Sequence, residues 1–110
     1  MNVDFDTAYQ QLIGGKLAAA SDHFAAYNPA TEAVIAEVPD ASRAQLDEAV
    51  ASARAAFPAW RDTPISERQA VVARIGEVIT EHAEAFMALL TREQGKGRAG
   101  AEWEVGGSAY

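Results

Sequence analysis

The 110-residue sequence contains no cysteine. Without a thiol, the chain has no disulfide, no thiolate ligand for a metal and no cysteine nucleophile. Long apolar runs are also missing, since no stretch approaches the ~18 residues that cross a bilayer. The acidic start, residues 1–6, is not followed by the apolar segment of a secretory signal. We therefore expect a cytoplasmic protein with no membrane partner.

Positive charge is the other scarce property, with nine Lys and Arg residues against sixteen Asp and Glu and a net charge of −7. Binding to the phosphates of nucleic acid needs a basic stripe, and no cluster of Lys or Arg is visible. We therefore expect no nucleic acid partner. The chain is 49% hydrophobic and 23% charged, a composition typical of globular proteins. Its length fits one domain, or part of one, with a modest core.

Turn-forming residues divide residues 10–38 into four predicted strands, after residues 1–9, which are polar and expected to be flexible. Two short strands flank Gly14-Gly15, because glycine accepts the positive φ that a two-residue hairpin requires. A third strand covers residues 24–27 and ends at an Asn-Pro turn signal. The fourth covers residues 33–38 and is apolar on both faces, which predicts a strand that is covered on both sides.

A first helix is predicted from Ser42, whose hydroxyl can cap free backbone amides while Gln45 completes a capping box. Apolar residues then recur at helical spacing and define one face: Leu46, Ala49, Val50, Ala53 and Phe57. Pro58 disfavours helical geometry at the residue before it. We therefore expect this helix to end at Phe57.

A longer helix is predicted to begin at Pro64, a residue suited to the first helical position, or at Ser66. Gly95 is a natural left-handed cap at its end, and Gly76 costs about 1 kcal/mol relative to alanine inside it. A third helical pattern opens around Arg98 and is unfinished at the last residue, which indicates a truncated chain. The apolar stripe of the longer helix is formed by Val71, Ile75, Val78, Ile79, His82, Phe86, Leu89 and Leu90.

Four short motifs stand in order along the chain: an Ile-Gly-Gly-Lys hairpin, an Asn-Pro-Ala-Thr turn, a Phe-Pro-Ala-Trp corner and a Glu-Gln-Gly-Lys ending, at residues 13–16, 28–31, 57–60 and 93–96. In order and spacing they resemble the amino-terminal part of the NAD(P)-dependent aldehyde dehydrogenase superfamily. The resemblance implies an α/β fragment of that family's cofactor-binding domain over residues 1–110. Its short strands, about 10–38, are followed by two long amphipathic helices and the start of a third.

By this resemblance, the whole enzyme would oxidise an aldehyde to a carboxylic acid with NAD or NADP. In the family a cysteine attacks the aldehyde, hydride passes to the nicotinamide, and a glutamate activates the water that releases the acid. Those residues and the phosphate-binding loop match no position of this sequence, so we assign it no catalytic, cofactor-binding or metal-binding residue. Alone it is expected to hold no cofactor and to be inactive. Its expected partner is the remainder of the dehydrogenase polypeptide, or a second copy through exposed apolar faces.

Three positions bear on how closely the family pattern is followed. Glu32 stands where the family's turn usually has glycine. If that position needs a positive φ, glutamate costs about 1–2 kcal/mol and a rebuilt turn is expected. Some family members hold a structural cation at positions that match the carbonyl of Ala26 and the carboxylate of Glu104. The sequence offers only these two ligands, whereas a hard cation prefers several oxygen ligands.

Several residues that suggest chemistry have simpler structural explanations. Residues 95–100 spell G-x-G-x-x-G, but they follow a predicted helix rather than a strand, which favours a helix cap and a corner over a dinucleotide fingerprint. Residues 14–16 are a hairpin turn rather than a phosphate loop. His82 is explained as a core histidine and His23 as a loop histidine, while Ser42 and Ser66 are explained as helix caps. Glu102 and Glu104 lie on different helix faces, and Trp60 and Trp103 are explained as packing residues.

The alternative interpretation is a stand-alone helical interaction module. In that case the apolar stripe from Val71 to Leu90 would pair with a partner helix. A dedicated module should be a defined monomer or dimer that melts cooperatively. A fragment should instead be poorly folded or self-associated, because its apolar faces stay exposed.

Overall fold

The computed structural model of the chain describes residues 9–110. Four strands precede four helices, which confirms the predicted α/β order: β1 Gln11–Ile13, β2 Lys16–Ala18, β3 Asp22–Tyr27, β4 Val34–Asp40, α1 Arg43–Asp62, α2 Ile65–Glu81, α3 Ala83–Gln94 and α4 Arg98–Ala109. The prediction of a flexible start falls on residues 1–9, and all of these but Tyr9 lie outside the described residues. None of the helices described over residues 9–110 is long and apolar enough to cross a membrane.

The first two strands form the predicted hairpin. Gly14 and Gly15 have φ values of 58° and 78°, the left-handed pair that a tight two-residue turn requires. Antiparallel pairing sets Leu12 opposite Leu17, and both side chains are about 70% exposed. A Cβ added at Gly14 would lie 3.0 Å from the hydroxyl oxygen of Ser52. The turn of the hairpin therefore lies directly against α1.

Strands β3 and β4 form a second, separate antiparallel pair, with Ala26 opposite Ala36. The turn between them is held by the backbone of Asn28, whose carbonyl accepts from the amide of Glu32 at 2.8 Å. Glu32 itself has a φ of 59°. Glu32 thus adopts the left-handed geometry that favours glycine, and the expectation of a turn rebuilt to avoid a positive φ is wrong. Strand β4 is not covered on both faces within residues 9–110, because Val34 is 53% exposed.

Helix α1 begins as predicted and ends later than predicted. Ser42 Oγ accepts from the amide of Gln45 at 3.2 Å, and Gln45 Oε1 accepts from the amide of Ser42 at 3.1 Å, which completes the capping box. Pro58 lies inside the helix, which continues to Asp62. The predicted end at Phe57 is wrong, because a proline removes one backbone hydrogen bond without removing the turns on either side. Thr63 closes the last turn, and its hydroxyl donates to a carbonyl of that turn at 2.8 Å.

The longer predicted helix is two helices. At His82 the backbone turns to φ −113° and ψ 17°, and α2 ends there while α3 begins. The break is shallow, since the amide of His82 still donates to the carbonyl of Val78 at 3.2 Å and its own carbonyl accepts from the amide of Phe86 at 3.1 Å. The start of α2 at Ile65 lies between the two predicted starts, so Pro64 is the residue before the helix rather than its first.

A small core forms where α4 crosses α2 and α3. Met87, Ala101 and Val105 are buried there, and four partly buried residues pack around them: Ile79, Ala83, Phe86 and Leu90. Gly76 of α2 has a clear reason to lack a side chain, because a Cβ there would lie 2.5 Å from the carbonyl oxygen of Ala109 at the end of α4. The glycine therefore lets the two helices approach closely.

The chain exposes much more surface than a closed globule of its size. Its accessible area is 8230 Å², whereas a folded monomer of 11.7 kDa is expected to expose about 5,900 Å². The radius of gyration is 16.7 Å, against about 13 Å for a compact domain of this length. The predicted apolar face of α1 contributes to the excess, with Leu46, Val50 and Phe57 exposed by 47–58%. These faces are folded but uncovered.

Candidate functional site

The G-x-G-x-x-G run forms the corner between α3 and α4. Gly95 has a φ of 67° and ends α3 as the predicted left-handed cap, its amide donating to the carbonyl of Thr91 at 2.9 Å. Gly97 is the residue before α4. A Cβ at Gly95 would lie 2.9 Å from Cγ of Pro29, so the corner packs against the Asn-Pro turn. The run follows a helix, as predicted, and it lacks the strand that a dinucleotide fingerprint needs.

Lys96 and Glu104 form an ion pair across this corner. The two side chains are 27% and 43% exposed, so the pair is partly shielded from water. Glu104 is the residue that the resemblance matched to a cation ligand, and in the structure its carboxylate faces the ammonium group of Lys96. Over residues 9–110 no three His, Cys, Asp or Glu side chains are grouped closely enough to hold a metal ion.

The other residues singled out in the sequence are scattered. His82 is half-buried at the joint between α2 and α3, while His23 is exposed in β3 opposite Pro39, so its predicted loop location is wrong. Ser42 caps α1, whereas no side chain caps α2. Trp103 is 79% exposed, which contradicts its predicted packing role within the described residues. The structure brings none of these side chains together into a catalytic arrangement over residues 9–110.

Three charged side chains of α2 form a local network. Arg74 Nη1 lies 2.9 Å from a carboxylate oxygen of Glu77 and 2.9 Å from one of Glu81. Hydrogen bonding to Arg74 holds the pKa of Glu81 below its ordinary value. Both carboxylates are more than half exposed, so this network is a solvated surface feature that contributes little to stability.

Two apolar depressions flank α2. One is a groove of about 330 Å³ beside the core, lined by Ile79, Phe86, Leu90, Glu104, Val105 and Ser108. The other lies at the corner between α1 and α2 and is lined by Trp60, Ile65, Arg68, Gln69, Val72 and Ala73. Arg68, which is half-buried in the second depression, was not singled out from the sequence. A signal was available, since Ile65, Val71 and Val72 surround it at helical spacing and no acidic residue does.

The sequence pattern of the aldehyde dehydrogenase family matches residues 17–110. Human mitochondrial methylmalonate-semialdehyde/malonate-semialdehyde dehydrogenase [acylating] is 45% identical over 95 residues, which cover 84% of this chain and 18% of the human enzyme. Escherichia coli 5-carboxymethyl-2-hydroxymuconate semialdehyde dehydrogenase is 37% identical over 83 residues, 76% of this chain and 18% of that enzyme.

A solved structure agrees with these matches. The NAD-dependent benzaldehyde dehydrogenase from Corynebacterium glutamicum superposes with a TM-score of 0.86 at 33% identity, covering 94% of this chain and 23% of that one. The arrangement of short strands and helices is thus the arrangement that these enzymes share. The chain belongs to the aldehyde dehydrogenase family, and it spans about a fifth of the length of the relatives it matches.

Proposed function

We propose that this chain is the amino-terminal part of an NAD(P)-dependent aldehyde dehydrogenase. In that enzyme it would contribute edge strands and covering helices to the cofactor-binding domain, and by itself it would neither bind NAD tightly nor oxidise an aldehyde. The observation that carries the proposal is the excess of exposed surface, since folded apolar faces of this extent are expected to be covered by further polypeptide.

The missing chemistry supports the same proposal. The family's nucleophile is a cysteine thiolate, and the chain has no cysteine. The glycine-rich run at residues 95–100 caps a helix and has no strand before it, so the chain offers no phosphate loop there. Catalysis and cofactor binding would therefore depend on polypeptide that these residues only support.

A first experiment mixes the purified 110-residue chain with NAD or NADP and a panel of aldehydes. The panel includes methylmalonate semialdehyde, malonate semialdehyde and benzaldehyde, the compounds in the names of the relatives. We expect no reduced nicotinamide above a protein-free blank. Appreciable reduction by the chain alone would contradict the proposal.

A second experiment tests whether this chain can serve as the amino-terminal part of an active dehydrogenase. The matching segment of the human relative is replaced by this chain, and the chimera is assayed with the human enzyme's own substrate. Because the two segments are 45% identical over 95 residues, we expect a folded chimera that retains measurable activity. A folded chimera with no activity would argue against this role. Fractionation of cells that express the tagged chain tests its cytoplasmic location, which stays a prediction because the relatives include mitochondrial enzymes.

The alternative interaction module is less well supported by the structure. It requires the whole stripe from Val71 to Leu90 to be free for a partner helix. Leu90 and Phe86 already pack against the core that α4 completes, whereas Val71 and Ile75 are 50% and 56% exposed. Only part of the stripe is therefore available. If the isolated chain is a defined monomer that melts cooperatively, that result would favour this alternative.

A further inference from the structure

Arg68 differs from the other arginines of the described residues. It is half-buried in the first turn of α2, and its Nε is enclosed with no hydrogen-bond partner over residues 9–110. Four arginines form ion pairs: Arg43, Arg61, Arg74 and Arg98. Arg54 and Arg92 form none within the described residues, but both are exposed to water. Among the arginines of the described residues, Arg68 alone is partly buried and has an N–H donor without a hydrogen-bond partner.

An enclosed charged donor without a partner is costly, because water no longer solvates it and no acceptor replaces the water. No carboxylate within residues 9–110 forms an ion pair with Arg68. Asp62, the acidic residue at the end of α1, is taken up by Arg61, with Nε and a carboxylate oxygen 2.7 Å apart. The residues at helical spacing from Arg68 are apolar. Arg68 also lines the open depression between α1 and α2, so we expect an acceptor for its guanidinium to approach from that side and to come from outside residues 9–110.

The walls around Arg68 indicate what kind of molecule supplies that acceptor. Trp60 is 43% exposed, and Ile65 and Val72 are each 62% exposed. These side chains line the same depression as the guanidinium. Tryptophan and arginine are the residues most enriched at the energetic centres of protein interfaces, where apolar neighbours exclude water from a polar contact.

We propose that Arg68, Trp60 and the apolar residues beside them form a docking site for a polypeptide segment that carries an Asp or Glu side chain next to a bulky apolar residue. A carboxylate matches the planar fork of a guanidinium and accepts two parallel hydrogen bonds from it. The chain as a whole carries −7, but the charge at this depression is positive and unpaired, so an acidic segment is complementary to it. The site does not depend on the dehydrogenase reaction.

The test uses Trp60 as the reporter in the 110-residue chain. Trp103→Phe removes the other tryptophan of the sequence, which is well exposed and does not line this depression. Two capped tripeptides, acetyl-Leu-Glu-Leu-amide and acetyl-Leu-Gln-Leu-amide, are titrated while Trp60 fluorescence is recorded. Size-exclusion chromatography at the working concentration excludes a change in self-association. Sodium propionate serves as the probe for a free small carboxylate.

We expect the Glu peptide to bind in the millimolar range, about tenfold more tightly than the Gln peptide, because a charged hydrogen bond is made only by the former. Arg68→Gln should abolish this preference. Arg54→Gln makes the same change of charge at an exposed arginine and should leave the preference intact. Raising the salt concentration should weaken the binding of the Glu peptide only.

Three results would overturn the proposal. They are equal binding of the two peptides, a preference that survives Arg68→Gln, and no binding of either peptide up to tens of millimolar. Propionate that binds as tightly as the Glu peptide would also overturn it, because the site would then be for a small carboxylate. If circular dichroism shows that Arg68→Gln unfolds the chain, Arg68→Lys replaces it. Lysine keeps the charge but lacks the fork, so the preference should fall to about threefold, and an unchanged preference would refute the role of the guanidinium.

Discussion

Gly76 offers the sharpest test of how α4 sits on α2. In an exposed helix, replacing glycine with alanine stabilises the protein by up to about 1 kcal/mol. At Gly76, however, the new Cβ would lie 2.5 Å from the carbonyl oxygen of Ala109, and relieving such a contact costs about 1–3 kcal/mol. The second effect outweighs the first. We expect Gly76→Ala to destabilise the chain by about 1 kcal/mol.

The matched control lies on α4 itself. A Cβ at Gly106 has no neighbouring atom within 4 Å, so Gly106→Ala should show only the gain in helix propensity, about 0.5–1 kcal/mol. Urea unfolding followed by helical circular dichroism measures both variants, at two protein concentrations to reveal self-association. Two substitutions of the same kind should thus differ in sign and by about 1.5–2 kcal/mol. If Gly76→Ala stabilises the chain as much as Gly106→Ala does, the close crossing of the two helices is refuted.

Three further predictions concern backbone strain and pH. Glu32→Gly should raise the free energy of unfolding by about 1 kcal/mol, because Glu32 has a φ of 59° and a side chain is strained there. Thermal unfolding measures this gain, and the control Glu32→Ala, which keeps a Cβ, should leave the stability nearly unchanged. Gly95→Ala should destabilise more than Gly15→Ala, because both have positive φ but only Gly95 would also meet the proline of the adjacent turn, at 2.9 Å; equal losses in urea would contradict that packing. The pKa of Glu81 is lowered by its hydrogen bond to Arg74, so its small contribution to stability is present above the ordinary value of 4.5 and is lost as the pH falls below it. Urea unfolding measured at decreasing pH should show this loss of stability. In Arg74→Gln the part of the loss that is due to Glu81 should be absent.

Local chemistry determined the elements that the sequence predicted correctly. The hairpin requires positive φ at Gly14-Gly15, the start of α1 requires the capping box of Ser42 and Gln45, and the end of α3 requires a left-handed residue at Gly95. Each of these needs only a few neighbouring residues, so each can be inferred without knowing the rest of the fold. The corner at residues 95–100 was interpreted correctly for the same reason.

The incorrect predictions concern features that depend on several contacts at once. Pro58 lies inside α1 because the turns on both sides of it persist and Thr63 closes the helix, a balance that a rule about one residue does not capture. The break at His82 separates two helices that both contact α4, and nothing in the apolar stripe marks it. Arg68 was not singled out from the sequence, because an apolar pattern identifies a stripe and not the half-buried charge beside it.

The apolar stripe of α2 and α3 shows what a periodic pattern can and cannot report. Its second half, at Phe86 and Leu90, is partly covered by α4, whereas its first half, at Val71 and Ile75, is at least half exposed. The spacing of apolar residues is the same in both halves, because the pattern records a requirement for burial and not what fulfils it. In this chain the requirement is greater than the burial that residues 9–110 provide. A charged group in the uncovered region, Arg68, therefore tells more about the covering molecule than the apolar residues do, since a guanidinium specifies both the charge and the geometry of its partner.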